Sequence, residues 1–340
     1  MKSTVFLNHL QDYFEVYLPS VKGYSVNTIN SYKDAFRILF EYYEKTFKIQ
    51  PYRMDYKHIS GKKIECFLLW LEEERNYSAS SRNSRLAAIS SFFKYASRRS
   101  ISALNICSEI INIPVKKTAK NTISYFTVEE MKILLQMPNT QKANERRDLV
   151  LLSVLYDSGA RVQELCNLTV GDIKFGNPTT VHLYGKGKKS RTVPLMNASS
   201  NLLKQFLKEN NICHEAKRHI FINQRNGRIT PSGVRNSLNK YVLRAQTEHP
   251  DLFKEKYSPH STRHSKAVHM LEAGVDLIYI RDFLGHSSVQ TTEIYAQISH
   301  VFIANALKNR NIPQVSSGTM MPEMATTNVP TFLERKKTIN

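Results

Sequence analysis

Cysteine is scarce in this chain of 340 residues and nowhere paired: Cys66, Cys107, Cys166 and Cys213 form no CxxC and no spacing that suits metal ligation. A disulfide framework and a cysteine-built zinc site are therefore excluded, and buried or incidental thiols in a reducing cytosol remain. No apolar run approaches the length of a membrane span; Leu149–Tyr156 has the length of a core helix. No signal-peptide pattern opens the chain, so a cytoplasmic protein without a membrane partner is expected. There is no HExxH and no carboxylate cluster, so no metal and no cofactor is called for. No internal repeat is present. Acid is in short supply as well: 29 Asp and Glu stand against 48 Lys and Arg, a net charge of +19. Up to residue 120 there are 19 basic and 11 acidic residues, and beyond it 29 and 18, so both parts are basic. Such a balance suits a protein that holds a polyanion between two lobes; a merely soluble basic protein is the other reading.

What is there begins with helices. Val5, Leu7, Leu10, Tyr13, Phe14 and Tyr17 recur at helical spacing. Ser25-Val-Asn-Thr28 supplies capping side chains for a second helix that carries Tyr32, Phe36, Leu39, Phe40 and Tyr43. A third covers Ile64–Leu71 with the single tryptophan, Trp70, and a fourth covers Ser80–Arg99 with Leu86, Ile89, Phe92, Phe93 and Tyr95. Four short helices with aromatic stripes make a bundle, residues 1–104. Arg82, Arg85, Lys94, Arg98 and Arg99 give the fourth helix a basic face, either a solvated surface or a set of phosphate contacts. Residues 105–121 lack helical periodicity, contain Pro114 and carry Lys116, Lys117 and Lys120, as a basic extended connector would.

A second domain, residues 122–311, opens on the capping box Thr127-Val-Glu-Glu130. Helices are predicted over Met131–Gln136, Glu145–Ser158, Ser200–Glu209, Gly233–Arg244, Ser261–Ala273, Asp276–Phe283 and around Val301–Lys308. Thr179–Tyr184 and Arg191–Leu195 alternate about a Gly185-Lys186-Gly187-Lys188 turn, a β-hairpin or most of a three-strand sheet with a cationic tip. The class is mainly α with a small antiparallel β-sheet (α+β). Residues 312–340, with Pro313, Pro322 and Pro330, read as disordered or as an arm with a sticky end, Thr331–Arg335.

The chemistry concentrates in Tyr257-Ser-Pro-His260-Ser-Thr-Arg263-His264-Ser-Lys266. Proline at a first helical position places His260, Arg263 and His264 at i, i+3 and i+4, on one face of the first turns. Two imidazoles and a guanidinium there suit a tetrahedral anion such as a phosphodiester. Gly285 allows a tight turn that brings His286 and Tyr295 over that face, and tyrosine forms covalent intermediates once cations neutralise the electrophile.

With Arg161, Lys186, His260, Arg263, His286 and Tyr295 in this order, the chain resembles the tyrosine recombinases, or phage-type integrases, in their Xer and transposon-integrase branch. "SGARVQELCNLTVGDI" resembles the first arginine box, "YGKGKKSRTVPL" the lysine hairpin, and "HSTRH" with "LGHSSVQTTEIY" the second box. The N-terminal bundle is similar to the family's core-binding, SAM-like domain, and the resemblance implies a C-shaped DNA clamp. It also implies that Arg161 and Arg263 hold the two non-bridging phosphate oxygens and that Tyr295 attacks phosphorus to form a 3′-phosphotyrosine. Lys186 would protonate the departing 5′ oxygen, with Lys188 its rival; Lys188, Lys189 and Arg191 would otherwise contact phosphates. His260 would accept the Tyr295 proton, and His286 would hydrogen-bond the phosphate or support the pocket. His264 would buttress its helix as a supporting residue, and Glu164 would pair with Arg161. The implied partners are double-stranded DNA with specific recombination sites, three further copies in a tetramer that passes through a Holliday junction, and accessory bending or directionality proteins. The tail would pack on a neighbouring subunit. An integrase or transposase of a mobile element stands beside an Xer-like resolvase of chromosome or plasmid multimers, a type IB topoisomerase and a DNA-binding regulator with an idle site. An additional N-terminal arm-binding domain is not expected.

Overall fold

A computed structural model describes residues 4–118, 123–185 and 189–286, together with Thr292, Ile294 and Tyr295. The chain divides into two units, Met1–Asn121 and Thr122–Asn340.

The first unit is helical. α1 (Val5–Asp12) continues as a π-helical stretch (Tyr13–Val21) and is followed by α2 (Val26–Phe47), α3 (Gly61–Glu73), α4 (Ala79–Ala96) and α5 (Ile101–Ile111). Four of the starts are set by hydroxyl caps: Thr4, Ser25, Ser60 and Ser78 each accept a backbone N–H from the first turn. The aromatic stripes face inward and meet at Phe92 of α4. Its ring lies 5.4 Å from Phe6, 5.4 Å from Tyr13, 5.3 Å from Phe36 and 5.2 Å from Phe93, each edge to face.

Two expectations are corrected here. Residues 105–111, expected to begin the extended connector, belong instead to the helix α5, because Cys107 and Ile110 are buried against the bundle. Pro114 and Lys116 are also tied down: Arg82 Nη1 donates to the Pro114 carbonyl at 2.9 Å, Asn83 Nδ2 to the Lys116 carbonyl at 2.8 Å, and Lys116 Nζ pairs with Glu72 at 2.7 Å. Arg82 is therefore not a phosphate contact in this structure, being 5% exposed and occupied with the chain that follows α5. Of the remaining basic face, Arg85 lies against the Tyr77 ring and Arg99 covers Tyr95 at 4.0 Å, while Lys94 and Arg98 are exposed. Lys117 is exposed as well, and Lys120 lies outside the described residues.

The second unit opens on the anticipated capping box, in which Glu130 N–H donates to Thr127 Oγ1 and Thr127 N–H to Glu130 Oε2. There follow α6 (Val128–Gln136), α7 (Ala143–Asp157), the short α8 (Val162–Asn167), β1 (Ile173–Lys174), β2 (Thr180–Tyr184), β3 (Ser190–Pro194), α9 (Asn197–Glu209), α10 (Pro231–Glu248), α11 (Pro259–Glu272) and α12 (Leu277–Leu284). The sheet is antiparallel in the order β1-β2-β3, with Ile173 opposite Val181 and Val181 opposite Val193. These inward residues join Leu151, Val154 and Leu155 of α7, Leu203 of α9 and Leu238 of α10 in one core. A separate small cluster, Ala267, Val268 and Leu271 of α11 with Ile280 and Leu284 of α12, receives the Tyr295 ring. The helix anticipated around Val301–Lys308 and the tail lie outside the described residues. Among the described residues no helix is long and apolar enough to cross a membrane.

The ring cluster makes Phe92 a costly truncation in the first unit. Phe92→Ala should lower its unfolding free energy by about 3–5 kcal/mol, read by urea titration of the fluorescence of Trp70, the single tryptophan. Arg98→Ala, in the exposed turn just past α4, should stay within about 0.5 kcal/mol.

Candidate active site

The site is assembled at the ends of helices. α7 stops at Ser158, and Gly159 takes the left-handed conformation, φ +56°, that reverses the chain toward Arg161. Arg161 is extended and precedes α8, and Glu164 in the first turn reaches back to accept the Arg161 backbone N–H at 2.8 Å. The same carboxylate accepts Arg161 Nη1 at 2.9 Å and both terminal nitrogens of Arg191 from β3, at 3.1 and 2.8 Å. Burial works to raise the Glu164 pKa, but Arg191 and the Arg161 contacts outweigh it and hold the carboxyl below its ordinary value. Arg191 also donates from Nε to the Phe283 carbonyl at 2.8 Å. It was anticipated on phosphate; here its side chain is 10% exposed and it braces Glu164 against α12. Gly185, at the entry to the hairpin tip, lies against the same brace: a Cβ there would meet Glu164 Oε1 at 3.3 Å. Lys186 and Lys188 lie outside the described residues, and Lys189 is exposed.

α11 starts as its sequence predicts, with Ser258 as cap and Pro259 at the first position. Arg263 is 2% exposed, its Nη1 donating to the Gly159 carbonyl and its Nη2 to the Leu284 carbonyl, both at 2.6 Å. One guanidinium thus ties the end of α7 to the end of α12. Burial and the like charges of Arg161 and Arg191 lower its pKa to about 9, which leaves it charged at neutral pH. Lys266, one turn on, pairs with the buried Asp157 at 2.8 Å and locks α11 to α7. Sequence reading missed that pair, because nothing in the local pattern links residues 109 positions apart.

Gly285 ends α12 at φ +67°, and a Cβ on it would meet Arg191 Cδ at 3.0 Å, so both conformation and close approach favour glycine there. After it His286 shares a hydrogen bond from Nδ1 with Thr292 Oγ1 at 3.0 Å and stacks on the Tyr295 ring, centroids 6.4 Å apart at 18°. Tyr295 is 1% exposed. Its hydroxyl lies 2.9 Å from Nδ1 of His264, the residue anticipated as a helix buttress, and among the described residues no hydrogen bond joins His260 to it. His260 is exposed, one turn before His264, with ring centroids 5.3 Å apart.

The electrostatics follow from burial among cations. Burial raises the Tyr295 pKa, and Arg263 and Arg161 partly oppose it. His264 is lowered to about 4 by burial, His260 and Arg263. His286 is lowered to about 4 by burial and by Arg263, Arg161 and Arg191. His260, an exposed residue whose ring is partly desolvated on its inner side, is lowered in the same direction, with Arg263 and Arg161 adding to the effect. At neutral pH the phenol keeps its proton and the imidazoles are uncharged acceptors. The structure therefore brings Arg161, His260, Arg263, His264, His286 and Tyr295 into one site, with Glu164 holding Arg161.

Comparison with known proteins follows the same lines. Residues 124–300 match the sequence model of the phage integrase family, and residues 10–100 that of the phage integrase N-terminal SAM-like domain. The tyrosine recombinase XerC of Myxococcus xanthus is 32% identical over 305 residues, covering 86% of this chain and 94% of the relative. Among solved structures, the XerH site-specific recombinase bound to palindromic difH substrate in a post-cleavage complex superposes with a TM-score of 0.67 at 24% identity, covering 84% of this chain and 80% of the other. The Tn1549 transposon integrase in complex with circular intermediate DNA superposes with a TM-score of 0.65 at 16% identity, covering 91% of this chain and all of the other. Both structures show the fold.

Removing one partner of the Glu164 brace should be severe. Glu164→Ala should destabilise the second unit by about 3–5 kcal/mol, seen as an earlier loss of helical circular dichroism in urea with the Trp70 transition unmoved. Since the folded pKa lies below the ordinary 4.5, the carboxylate's contribution is present above that value and lost as pH falls through the folded one. The gap between wild type and Glu164→Ala should accordingly narrow on acidification below about pH 4.

Proposed function

The chain belongs to the phage integrase family of tyrosine recombinases, enzymes that cleave and rejoin DNA, and on that premise we propose that it is the site-specific recombinase of a mobile element, with Tyr295 as nucleophile. The observation that carries the assignment is the burial of the Tyr295 hydroxyl among His264, Arg263 and Arg161. In strand cleavage the phenolic oxygen attacks phosphorus in line and the bond to the 5′ oxygen breaks, leaving a 3′-phosphotyrosine. Arg161 uses one terminal nitrogen on Glu164, and Arg263 uses two N–H groups on carbonyls. Each guanidinium keeps further donors for the non-bridging oxygens, whose charge grows in the transition state. Lys186 on the hairpin is the donor to the leaving oxygen. The phosphotyrosine retains the energy of the broken ester, so a 5′ hydroxyl reverses the reaction without a nucleotide cofactor. Exchange between two paired sites then requires four such steps through a Holliday junction, in a tetramer.

The same fold in the Tn1549 transposon integrase accords with the mobile-element role. The identity to XerC over nearly its whole length favours a second reading, a resolvase of DNA multimers. Lys94, Arg98, Lys117 and Lys189, all exposed, are the proposed backbone contacts.

A nicked suicide substrate carrying the element's ends should trap wild-type protein covalently, and Tyr295→Phe should trap none. Arg161→Ala should slow trapping by about 100-fold or more. Trapping on a chromosomal dimer-resolution site in preference to the element's ends would favour the resolvase. For DNA binding, the double variant Lys94→Ala, Arg98→Ala should flatten the log-affinity against log-salt slope by about 2.

A further inference from the structure

The imidazole nearest the Tyr295 hydroxyl is the one with no assigned chemistry. His264 Nδ1 lies 2.9 Å from that oxygen, at the distance of a good hydrogen bond. Its place is fixed from several sides. Its own helix, α11, is locked to α7 by Lys266 with Asp157 and by Arg263 with the Gly159 carbonyl. The Tyr295 ring in turn is held between His264, 5.6 Å away by centroids, and the stacked ring of His286. His260, by contrast, is exposed, and it approaches His264 edge to face.

We infer that His264 is a catalytic residue, the immediate acceptor of the Tyr295 proton in strand cleavage and its donor in strand joining. The inference rests on the assignment of Tyr295 as nucleophile. In the forward step the Tyr295 O–H bond breaks as the O–P bond forms. The proton passes to Nδ1 of a His264 whose neutral ring carries its own proton on Nε2. The electron pair of the broken P–O bond leaves on the 5′ oxygen, which takes a separate proton from the hairpin lysine. In the reverse step the 5′ hydroxyl forms its O–P bond and gives its proton back to the hairpin lysine, while the Tyr295 O–P bond breaks and His264, now an imidazolium, returns its Nδ1 proton to the phenolic oxygen. His260 is left at the mouth of the site, where it meets phosphate or solvent.

The groups that face His264 are His260 and Arg263 on its own helix, and Tyr295 and His286 from the segments packed over it. Burial, with His260 and Arg263 beside it, keeps His264 neutral, lowered to about 4, so wild-type cleavage should be independent of pH from about 6 to 8. An asparagine at 264 keeps an amide oxygen near the position of Nδ1, able to accept the hydrogen bond but not the proton. Solvent hydroxide must then remove the proton.

The test is single-turnover trapping of a nicked suicide substrate between pH 6 and 8. His264→Asn should be slower by about 100-fold at pH 7, and its rate should rise about tenfold per pH unit as hydroxide replaces the imidazole. His264→Gln carries the same expectation, and unchanged noncovalent binding of site DNA certifies the fold of either variant. His260→Asn, whatever its rate, should keep the flat profile. A flat profile in both position-264 variants, or the slope appearing in His260→Asn instead, would overturn the inference while Tyr295→Phe remained dead. If Tyr295→Phe still trapped DNA, the nucleophile assignment would fall, and this inference with it.

Discussion

One buried carboxylate among three guanidiniums is the constraint on which the second unit is built. Arg161, Arg191 and Arg263 would repel one another at this range, and a buried charge without a partner is costly. Glu164 resolves both problems by accepting from Arg161 and Arg191 together, and the carbonyls of Gly159 and Leu284 do the same for Arg263. The consequence is geometric. The end of α7, the strand β3, the start of α11 and the end of α12 are held at fixed separations before any phosphate arrives. Stabilising a developing negative charge is most effective when its donors need not reorganise, and this brace supplies that condition.

The acid–base side depends on the same cations. By lying close to His264 and His286, the guanidiniums add to burial and keep both rings neutral, and they offset part of the cost of ionising Tyr295. On the proposed assignment, the charge that would grip the phosphate also sets the protonation state of the imidazoles. A single set of side chains would then serve binding and proton transfer.

Much of this was legible in the chain itself, wherever a local rule forces the outcome. Pro259 with Ser258 set the start of α11 and hence the common face of His260, Arg263 and His264, and Thr127 with Glu130 announced α6. The alternation about Gly185 announced the hairpin. Two helices were hidden for different reasons. α5 is apolar outside as well as inside, with Ile101, Leu104 and Ile111 exposed, so no periodicity marks its buried face. α8 is six residues long, too short for any period to emerge. The arginines show the deeper limit. Arg82 and Arg191 carry the charge of a phosphate contact, yet their guanidiniums serve a carbonyl and a carboxylate of their own chain. Charge reads from sequence, whereas orientation depends on contacts such as Arg191 to the Phe283 carbonyl, 92 positions away. Which imidazole meets the Tyr295 hydroxyl, His264 in this structure, likewise depends on how that residue folds back.

The most direct test of the central claim is to locate the covalent link itself. Protein trapped on a suicide substrate, digested with nuclease and protease and sequenced by mass spectrometry, should carry the residual nucleotide on the peptide containing Tyr295, linked through its phenolic oxygen. A nucleotide found on any other side chain, Tyr279 of α12 for instance, would contradict the account.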